Sequence, residues 1–549
     1  MDSFDEEFDV VVCGSGNSGL VSAIELADAG ARVLIIEKSS VPGGISICSG
    51  GGLLSADDAE DAFTYLKEIC GGRTSDELLR VLAGGMTEIQ PYLTRLAKMN
   101  GAEVVGRGGA GFESITNISK GKPPAEFTGG ATYPLPGYKT FYYTTVKDIP
   151  GFIPENDFPA QSSTSQSNTR TFGGGIRIYK VLYDNVMSRD NITLRFSSAA
   201  QRLIKDHESG AIVGLEVHGA NGQSTTIKAR AVVLACGGFE GSQDLKAQFW
   251  EGTPVDGCMA KHNTGDGIRM AQEVGAALWH MWHFHGSYAF RHPSPDYPYL
   301  IRTRRFPNWR PGEQDSLDVK MPWIIIDQLG KRYMNEYDPY LQDTNHRTMH
   351  RFDPALMRFT RNPSLLIFDD DGRNMYALGQ PTYNDPDILH YRWSDDNRKE
   401  IELGIITEAS TLEELAGQIG IDAAILKSTV DAWNADCEQG SDREFGRPSG
   451  SMMPILKPPF HAANIHPCVS NTQGGIVHNI HYEAVSPFGA AIEGLYVAGE
   501  ISSVFGHLYS AGGNLAETFV SSRVAADHIR SKYLTHWMAG HQQVRAANS

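Results

Sequence analysis

The sequence predicts an α/β fold in which one sheet is assembled from distant chain segments and a second, α+β domain is inserted into it. Three observations carry this. A β-branched run at Asp9–Cys13, a glycine turn, a helical stretch at Leu20–Ala29 and a second run at Arg32–Ile36 form a βαβ unit. Buried-strand patterns that end in glycines recur at Thr225–Gly238 (TTIKARAVVLACGG) and Glu493–Glu500 (EGLYVAGE), so far-apart segments must join that sheet. Between 281 and 470 the composition shifts to aromatics, Pro, His and Arg, with one helical stretch, Leu412–Ala435, inside.

The domain reading follows: 1–280 as the first part of the sheet domain, 281–470 as the insertion and 471–549 as the second part. A chain of 549 residues exceeds the size at which a single core stops growing, which agrees with two domains. The stretch 107–175 is rich in Gly, Pro, Ser, Thr and Tyr without clear periodicity. It is read as an ordered covering loop, with Gly173–Gly175 a turn that opens a helix.

The turn of the first unit is Gly14-Ser15-Gly16-Asn17-Ser18-Gly19, and Glu37 ends the second strand 18 residues after Gly19. Each part has a task. The first glycine permits the tight turn, the second lets backbone approach a pyrophosphate, and the third lets helix and strand pack closely, while the helix N-terminus favours negative charge. Glu37 then accepts from ribose hydroxyls, which disfavours a 2′-phosphate. Gly14, Gly16, Ser18, Gly19, Glu37 and Lys38 are thus the expected centre of a Rossmann-like dinucleotide site.

A second element, Pro42-Gly43-Gly44-Ile45-Ser46, runs on to Ser49-Gly50-Gly51-Gly52. A nicotinamide site does not need it. With Gly237–Gly238 and Gly499–Glu500, it lets backbone lie against an extended FAD, as in the two-dinucleotide-binding flavoproteins. Gly44, Ile45, Ser46, Gly51, Ala200, Gly237, Asp266 and Glu500 complete the expected contacts on this side.

The motifs VVVCGSGNSGL with Glu37, GGISICSGGG, AVVLACGGF, Thr264–Ala276, Gly330–Tyr340, NTQGGI (Asn471–Ile476), and GLYVAGE followed by YSAGGNLAE run along the chain. On these, over almost its whole length, it resembles the flavoprotein superfamily of fumarate reductases, succinate dehydrogenases and 3-ketosteroid dehydrogenases. The resemblance implies an FAD-binding domain interrupted by a capping domain, with substrate caught between cap and flavin. Covalent members carry a histidine near the GGxSxxSGG segment; Ser46–Gly52 contains none, so the FAD is expected to be non-covalent. Glu500 resembles the family glutamate that hydrogen-bonds the ribityl chain. Asn514, Leu515 and Ala516 begin a helix whose N-terminus is expected to face the flavin pyrimidine, favouring negative charge there.

Departures from the dicarboxylate branch point elsewhere. Fumarate reductases hold two carboxylates with arginines and histidines, because fixed charges need cationic, bidentate partners. Here Asn471 stands where those enzymes have His, Tyr509 about where they have Arg, and Tyr340 where the proton-donating Arg is expected. The active-site pattern is closer to that of the 3-ketosteroid dehydrogenases. In that branch a motif similar to NExxPY ends in a tyrosine that handles the α-proton, and YxxxG gives a hydroxyl and an amide to the substrate carbonyl. Asn335–Tyr340 and Tyr509–Gly513 match, with Ser510 and Ala511 where that branch has Pro and Gly.

The chemistry is consistent. Removing a proton α to a carbonyl creates an enolate, which the Tyr509 hydroxyl and the Gly513 N–H stabilise as charge develops, while the β-hydride leaves to flavin N5. Tyrosine is a weak base at its ordinary pKa near 10, so Tyr340 needs cations or a relay. An assisting tyrosine is sought among Tyr133, Tyr142 and Tyr143, with Tyr143 entered in the catalytic set. The resemblance places a substrate-binding histidine at the start of the cap, at His283 or His285, with Asn471 beside the substrate. Run backwards, the same residues reduce an activated alkene. Arg302, Arg304, Arg305, Arg332 and Arg347 are read as ion-pairing residues rather than as site residues.

Other classes are disfavoured. A net charge of −17 repels phosphate backbones and anionic lipid, so nucleic acid and membrane partners are not expected. The acidic N-terminus, with a short apolar run, reads as cytoplasmic. Seven cysteines without CxxC argue against Fe–S, haem or disulfides. His280, His283, His285 and His292 sit among Trp279, Trp282, Phe284 and Tyr288, which reads as an apolar pocket wall, not a metal site. GxSxG in a strand-to-helix setting is lacking, which disfavours a serine hydrolase. The remaining alternatives are a reductase of an unsaturated carboxylate and a flavin-binding redox sensor without turnover. The substrate is a small molecule; an external electron donor or acceptor is required and its identity is not encoded in these patterns.

Overall fold

The computed structural model of the protein describes residues 4–106, 135–159, 161–162, 174–252, 254–259, 261–303, 320–336 and 346–534. Tyr340, Tyr133, Arg304 and Arg305 lie outside the described residues, as does most of the stretch read as a covering loop.

Strands that are apolar along their whole length belong where both faces are covered, and three such runs, Val10–Cys13, Val33–Ile36 and Ala231–Leu234, form the centre of the first sheet. Across it the order is Glu483–Val485, Ala491–Val497, Ala231–Leu234, Val10–Cys13, Val33–Ile36 and Ile192–Arg195, parallel throughout except for the first. The helix Asn17–Asp28 follows the first glycine turn and packs on the C-terminal helix Gly513–Ile529, where the Ser522 hydroxyl donates to the Ser18 carbonyl at 2.9 Å. The helix that follows the first glycine turn and the helix Gly513–Ile529 therefore meet beside the same cavity.

A second sheet is ordered Ile324–Ile326, Ser364–Asp369, Phe460–Thr472, Phe284–Arg291, Leu300–Thr303 and Gly379–Gln380. Its residues alternate between two cores. Ile325, Leu366 and Phe368 join Tyr288, Trp323 and Trp393, while Ile324, Ile326, Leu365 and Ile367 join Leu426, Val430 and Trp433. The 13-residue strand Phe460–Thr472, paired to its end with Phe284–Arg291, delivers Ser470 and Asn471 to the cavity beside the first sheet.

Three elements differ from the sequence reading. Thr225–Gly238 is two strands: Ser224–Lys228, in a separate sheet with Ile212–Gly219, and the fully buried Ala231–Leu234. Its polar half suits a half-exposed strand of the smaller sheet and its apolar half a central, covered strand, so the two halves part company. Leu412–Ala435 is also divided, into Leu412–Ile419 and Ala423–Gln439, because the Asp422 carboxylate caps the second helix by accepting from the Ala424 and Ile425 N–H groups. Within 107–175, Phe141–Asp148 is a strand paired with Leu53–Ala56 and Glu103–Val105, and Gly174 opens the helix Gly174–Met187. Among the described residues no helix is long and apolar enough to cross a membrane.

Candidate active site

The first glycine turn is closed by contacts that no side chain could share. A Cβ on Gly14, where φ is +109°, would sit 2.5 Å from the Ala235 carbonyl oxygen, and one on Gly19 would sit 1.9 Å from the Gly14 carbonyl oxygen. Strand, helix and neighbouring strand consequently meet at backbone distance. The Asn17 N–H, at the start of the helix, donates to Ser46 Oγ at 3.1 Å, which ties the second glycine element to the first. Glu37 is fixed by the Ser15 N–H and hydroxyl at 3.0 and 2.9 Å and by the Ser39 N–H at 2.9 Å. Lys38 pairs with Asp266 at 2.6 Å and donates to the Thr264 hydroxyl at 2.7 Å.

These residues line one cavity. Gly14, Gly16, Ser18, Glu37, Lys38, Ala200, Gly237 and Asp266 border it, as do Gly44, Ile45, Ser46, Gly51, Glu500, Asn514 and Leu515. Gly19 lies behind the wall, packed on Gly14, and Ala516 is buried within the C-terminal helix, its N–H bonded to the Gly512 carbonyl. Both polar atoms of the Asn17 amide, Ser49 Oγ and Asn514 Nδ2 are buried on this cavity without a protein partner. Buried donors and acceptors left over in this way fit a polar ligand, and the helix starts at Asn17 and Gly513 fit its negative groups.

Glu500 accepts from the Thr472 N–H at 2.7 Å. Burial nevertheless pushes its carboxyl up to about 7, and the adjacent Glu240, buried and facing the Glu500 charge, keeps its proton well above the usual carboxylate range. Asn384, from the second sheet's side, donates to the Pro42 and Gly44 carbonyls at 2.8 and 3.1 Å and so holds the second glycine element in place.

At the other end of the wall stand His285, Asn471, Tyr143 and Tyr509. His285 and Asn471 are strand partners, and the register shifts immediately after them, leaving Ser470 as an extra residue in a bulge. That bulge lets Ser470 and Asn471 both border the cavity. Gly286 makes it possible, since a Cβ there would lie 1.8 Å from the Cys468 carbonyl oxygen. His285 Nδ1 lies 2.8 Å from Asn471 Oδ1, and the His285 ring packs 4.2 Å from the Tyr509 ring. The Tyr509 hydroxyl accepts from the Asn514 N–H at 3.4 Å. The Tyr143 hydroxyl donates to the Ala511 carbonyl at 3.2 Å, and burial holds its proton far above the ordinary tyrosine range. It is therefore a donor and not a base.

Two expected site residues face elsewhere. His283 is buried between His280 and Arg347, at 3.2 and 3.0 Å, and does not border the cavity. The Gly513 N–H is donated to the Ser510 carbonyl at 2.9 Å, the turn that starts the C-terminal helix. Of the arginines read as ion-pairing, Arg332 is buried between Glu336 and Asp442, at 2.8 and 3.0 Å. Arg302 departs from that reading, because it borders the cavity. Asn17, Ser49 and Asn384 also border the cavity and were not among the expected contacts. Asn17 and Ser49 sit inside the glycine motifs and were within reach of sequence reasoning.

A family model described as "FAD binding domain" matches residues 9–515, and the chain belongs to that family. A 3-oxosteroid 1-dehydrogenase of Mycobacterium tuberculosis is 28% identical over 95% of this chain and 98% of its own length. A fumarate reductase (cytochrome) of Shewanella frigidimarina is 26% identical over 96% of this chain and 77% of its own length. The 3-ketosteroid delta1-dehydrogenase of Sterolibacterium denitrificans, solved with 1,4-androstadiene-3,17-dione, has the same fold: TM-score 0.75, 23% identity, 96% of this chain and 100% of that one. The chain is an FAD-binding protein of this family of FAD-dependent oxidoreductases.

Proposed function

We propose that the protein moves hydrogen between FAD and a CH–CH bond next to a ketone, on a bulky apolar molecule of the 3-ketosteroid kind. The observation that carries this is the Tyr509 hydroxyl on the cavity wall, its ring held against His285 and His285 held by Asn471, an uncharged donor suited to a carbonyl oxygen. The 3-oxosteroid relative, matched over nearly the whole chain, supports the same reading.

Bound FAD supplies the hydride acceptor or donor at N5. The Tyr509 hydroxyl donates to the substrate carbonyl and stabilises the enolate as charge develops. Its placement is fixed by the His285 ring, itself held by Asn471. Gly513 joins only if its N–H exchanges the Ser510 carbonyl for the substrate oxygen, so Tyr509 is the principal donor. Tyr143 supports the Ala511 carbonyl in the same turn. Tyr340 is the proposed α-proton carrier. The segment 281–470 is proposed as the cap, the FAD as non-covalently held, and the setting as cytoplasmic.

A dye-coupled assay tests the reading. Saturated or partly saturated 3-ketosteroids are expected to reduce an artificial acceptor while losing two hydrogens, seen as a new conjugated alkene in the product. Dye reduction by no ketone, with FAD bound and reducible by dithionite, would contradict it.

A further inference from the structure

Three buried arginines of this protein have carboxylate acceptors. Arg332 is held by Glu336 and Asp442, Arg447 by Glu336, and Arg373 by Asp370. Arg302 is different. It lies on the strand Leu300–Thr303, paired with Ala289 on one side and Gln380 on the other, is partly buried, and borders the cavity. Among the described residues its guanidinium makes no hydrogen bond and no ion pair. The carboxylates on the same cavity are committed elsewhere: Glu37 to Ser15 and Ser39, Asp266 to Lys38, and Glu500 to Thr472.

A guanidinium carries five donors in a planar fork and cannot lose its charge. Drawn part-way out of water with no acceptor, it costs free energy unless an anion enters the cavity. Two sources of anion exist, the phosphates of the cofactor and the substrate. The position of Arg302 favours the substrate. Arg302 is paired with Ala289, which shares a face of the strand Phe284–Arg291 with His285. Cys258, whose thiol is lowered by its hydrogen bond with Cys468 and then by the Arg302 charge, lies 3.6 Å from the Ser470 hydroxyl. Ser470 precedes Asn471, which holds His285 against Tyr509. Arg302 thus belongs to the wall that reads the ketone, whereas the phosphate-binding turn is Gly14–Gly19.

We infer that Arg302 is a specificity-determining residue that pairs with a carboxylate on the substrate, so that the substrate is a keto acid, with its ketone at Tyr509 and its carboxylate at Arg302. This rests on the ketone reading above. It deepens that reading by replacing a neutral steroid with a molecule that carries a fixed negative charge.

The test uses the full-length FAD-loaded protein and matched pairs of probes: 4-oxocyclohexanecarboxylate against its carboxamide, and 3-oxoandrost-4-ene-17β-carboxylate against its carboxamide. Anaerobic flavin reduction is followed for each. For at least one pair the acid is expected to be preferred by about tenfold or more in rate constant over dissociation constant, the worth of a charge-assisted hydrogen-bonded pair. In Arg302→Met that ratio is expected to fall to near one while FAD stays bound. Equal use of acid and amide by the wild-type protein overturns the inference and leaves the ketone reading standing. So does a preference that survives Arg302→Met, or loss of FAD from that variant, which assigns the cation to the cofactor. Flavin reduction by none of the four probes, nor by a neutral ketosteroid, overturns the ketone reading itself and the inference with it.

Discussion

His285 Nδ1 lies 2.8 Å from Asn471 Oδ1 across two antiparallel strands. An amide oxygen only accepts, so the His285 ring carries a proton on Nδ1, and that bond fixes the face on which Tyr509 rests. Asn471→Leu removes the acceptor without adding charge. It is expected to leave FAD bound and to slow flavin reduction by ketone by about tenfold, the loss of one buried hydrogen bond. Rapid-mixing absorbance at the oxidised flavin band checks it; an unaltered rate removes the pair from the site.

Tyr509→Phe deletes the proposed carbonyl donor and keeps the ring against His285 and Phe505. Loss of one such donor costs about 10²–10³ in turnover. The expected result is that fall in kcat with FAD content unchanged. Tyr340→Phe is expected to lower turnover by a comparable factor, and a kcat within twofold of wild type for either variant removes that tyrosine from the mechanism.

Gly19→Ala places a methyl 1.9 Å from the Gly14 carbonyl oxygen, which is backbone and cannot move aside cheaply. The purified variant is expected to lack FAD and to melt at a lower temperature. Flavin absorbance and thermal unfolding report both.

Glu517 is buried on the C-terminal helix, and burial raises its carboxyl to about 8 from an ordinary 4.5. Between pH 4.5 and about 8 the unfolded chain has lost this proton and the native state still holds it, so stability falls as pH rises through that window. In Glu517→Gln the thermal midpoint is expected to depend less steeply on pH over the same range. An unchanged slope means that this carboxyl ionises at its ordinary value when folded.

The cofactor half of the site was legible in the sequence because its parts are local. Gly14, Gly19 and Glu37 fall within one βαβ unit, where spacing alone sets them at the turn, the helix start and the end of the second strand. The substrate half depends on pairings across the chain. Asn384 meets Gly44 from a separation of 340 residues, and Ser470 faces the cavity only because a bulge opposite His285 and Gly286 displaces it. Arg302 gave no signal, since a strand residue's face depends on its partners and those partners, Ala289 and Gln380, are not identifiable from its neighbours in sequence. The division of Leu412–Ala435 was visible in principle, through the Gly420 and Asp422 punctuation between two apolar periods.

The central claim is that a ketone gives its hydrogens to the bound flavin. Anaerobic stopped-flow mixing of the oxidised protein with a panel of saturated 3-ketosteroids and keto acids tests it most directly, with reoxidation of the reduced protein by enones and by fumarate-like acids measured alongside. The result expected is bleaching of the oxidised flavin band by at least one saturated ketone and reoxidation by the matching enone. Reoxidation by unsaturated acids alone, with no bleaching by any ketone, would contradict the claim and make the protein a reductase of unsaturated carboxylates.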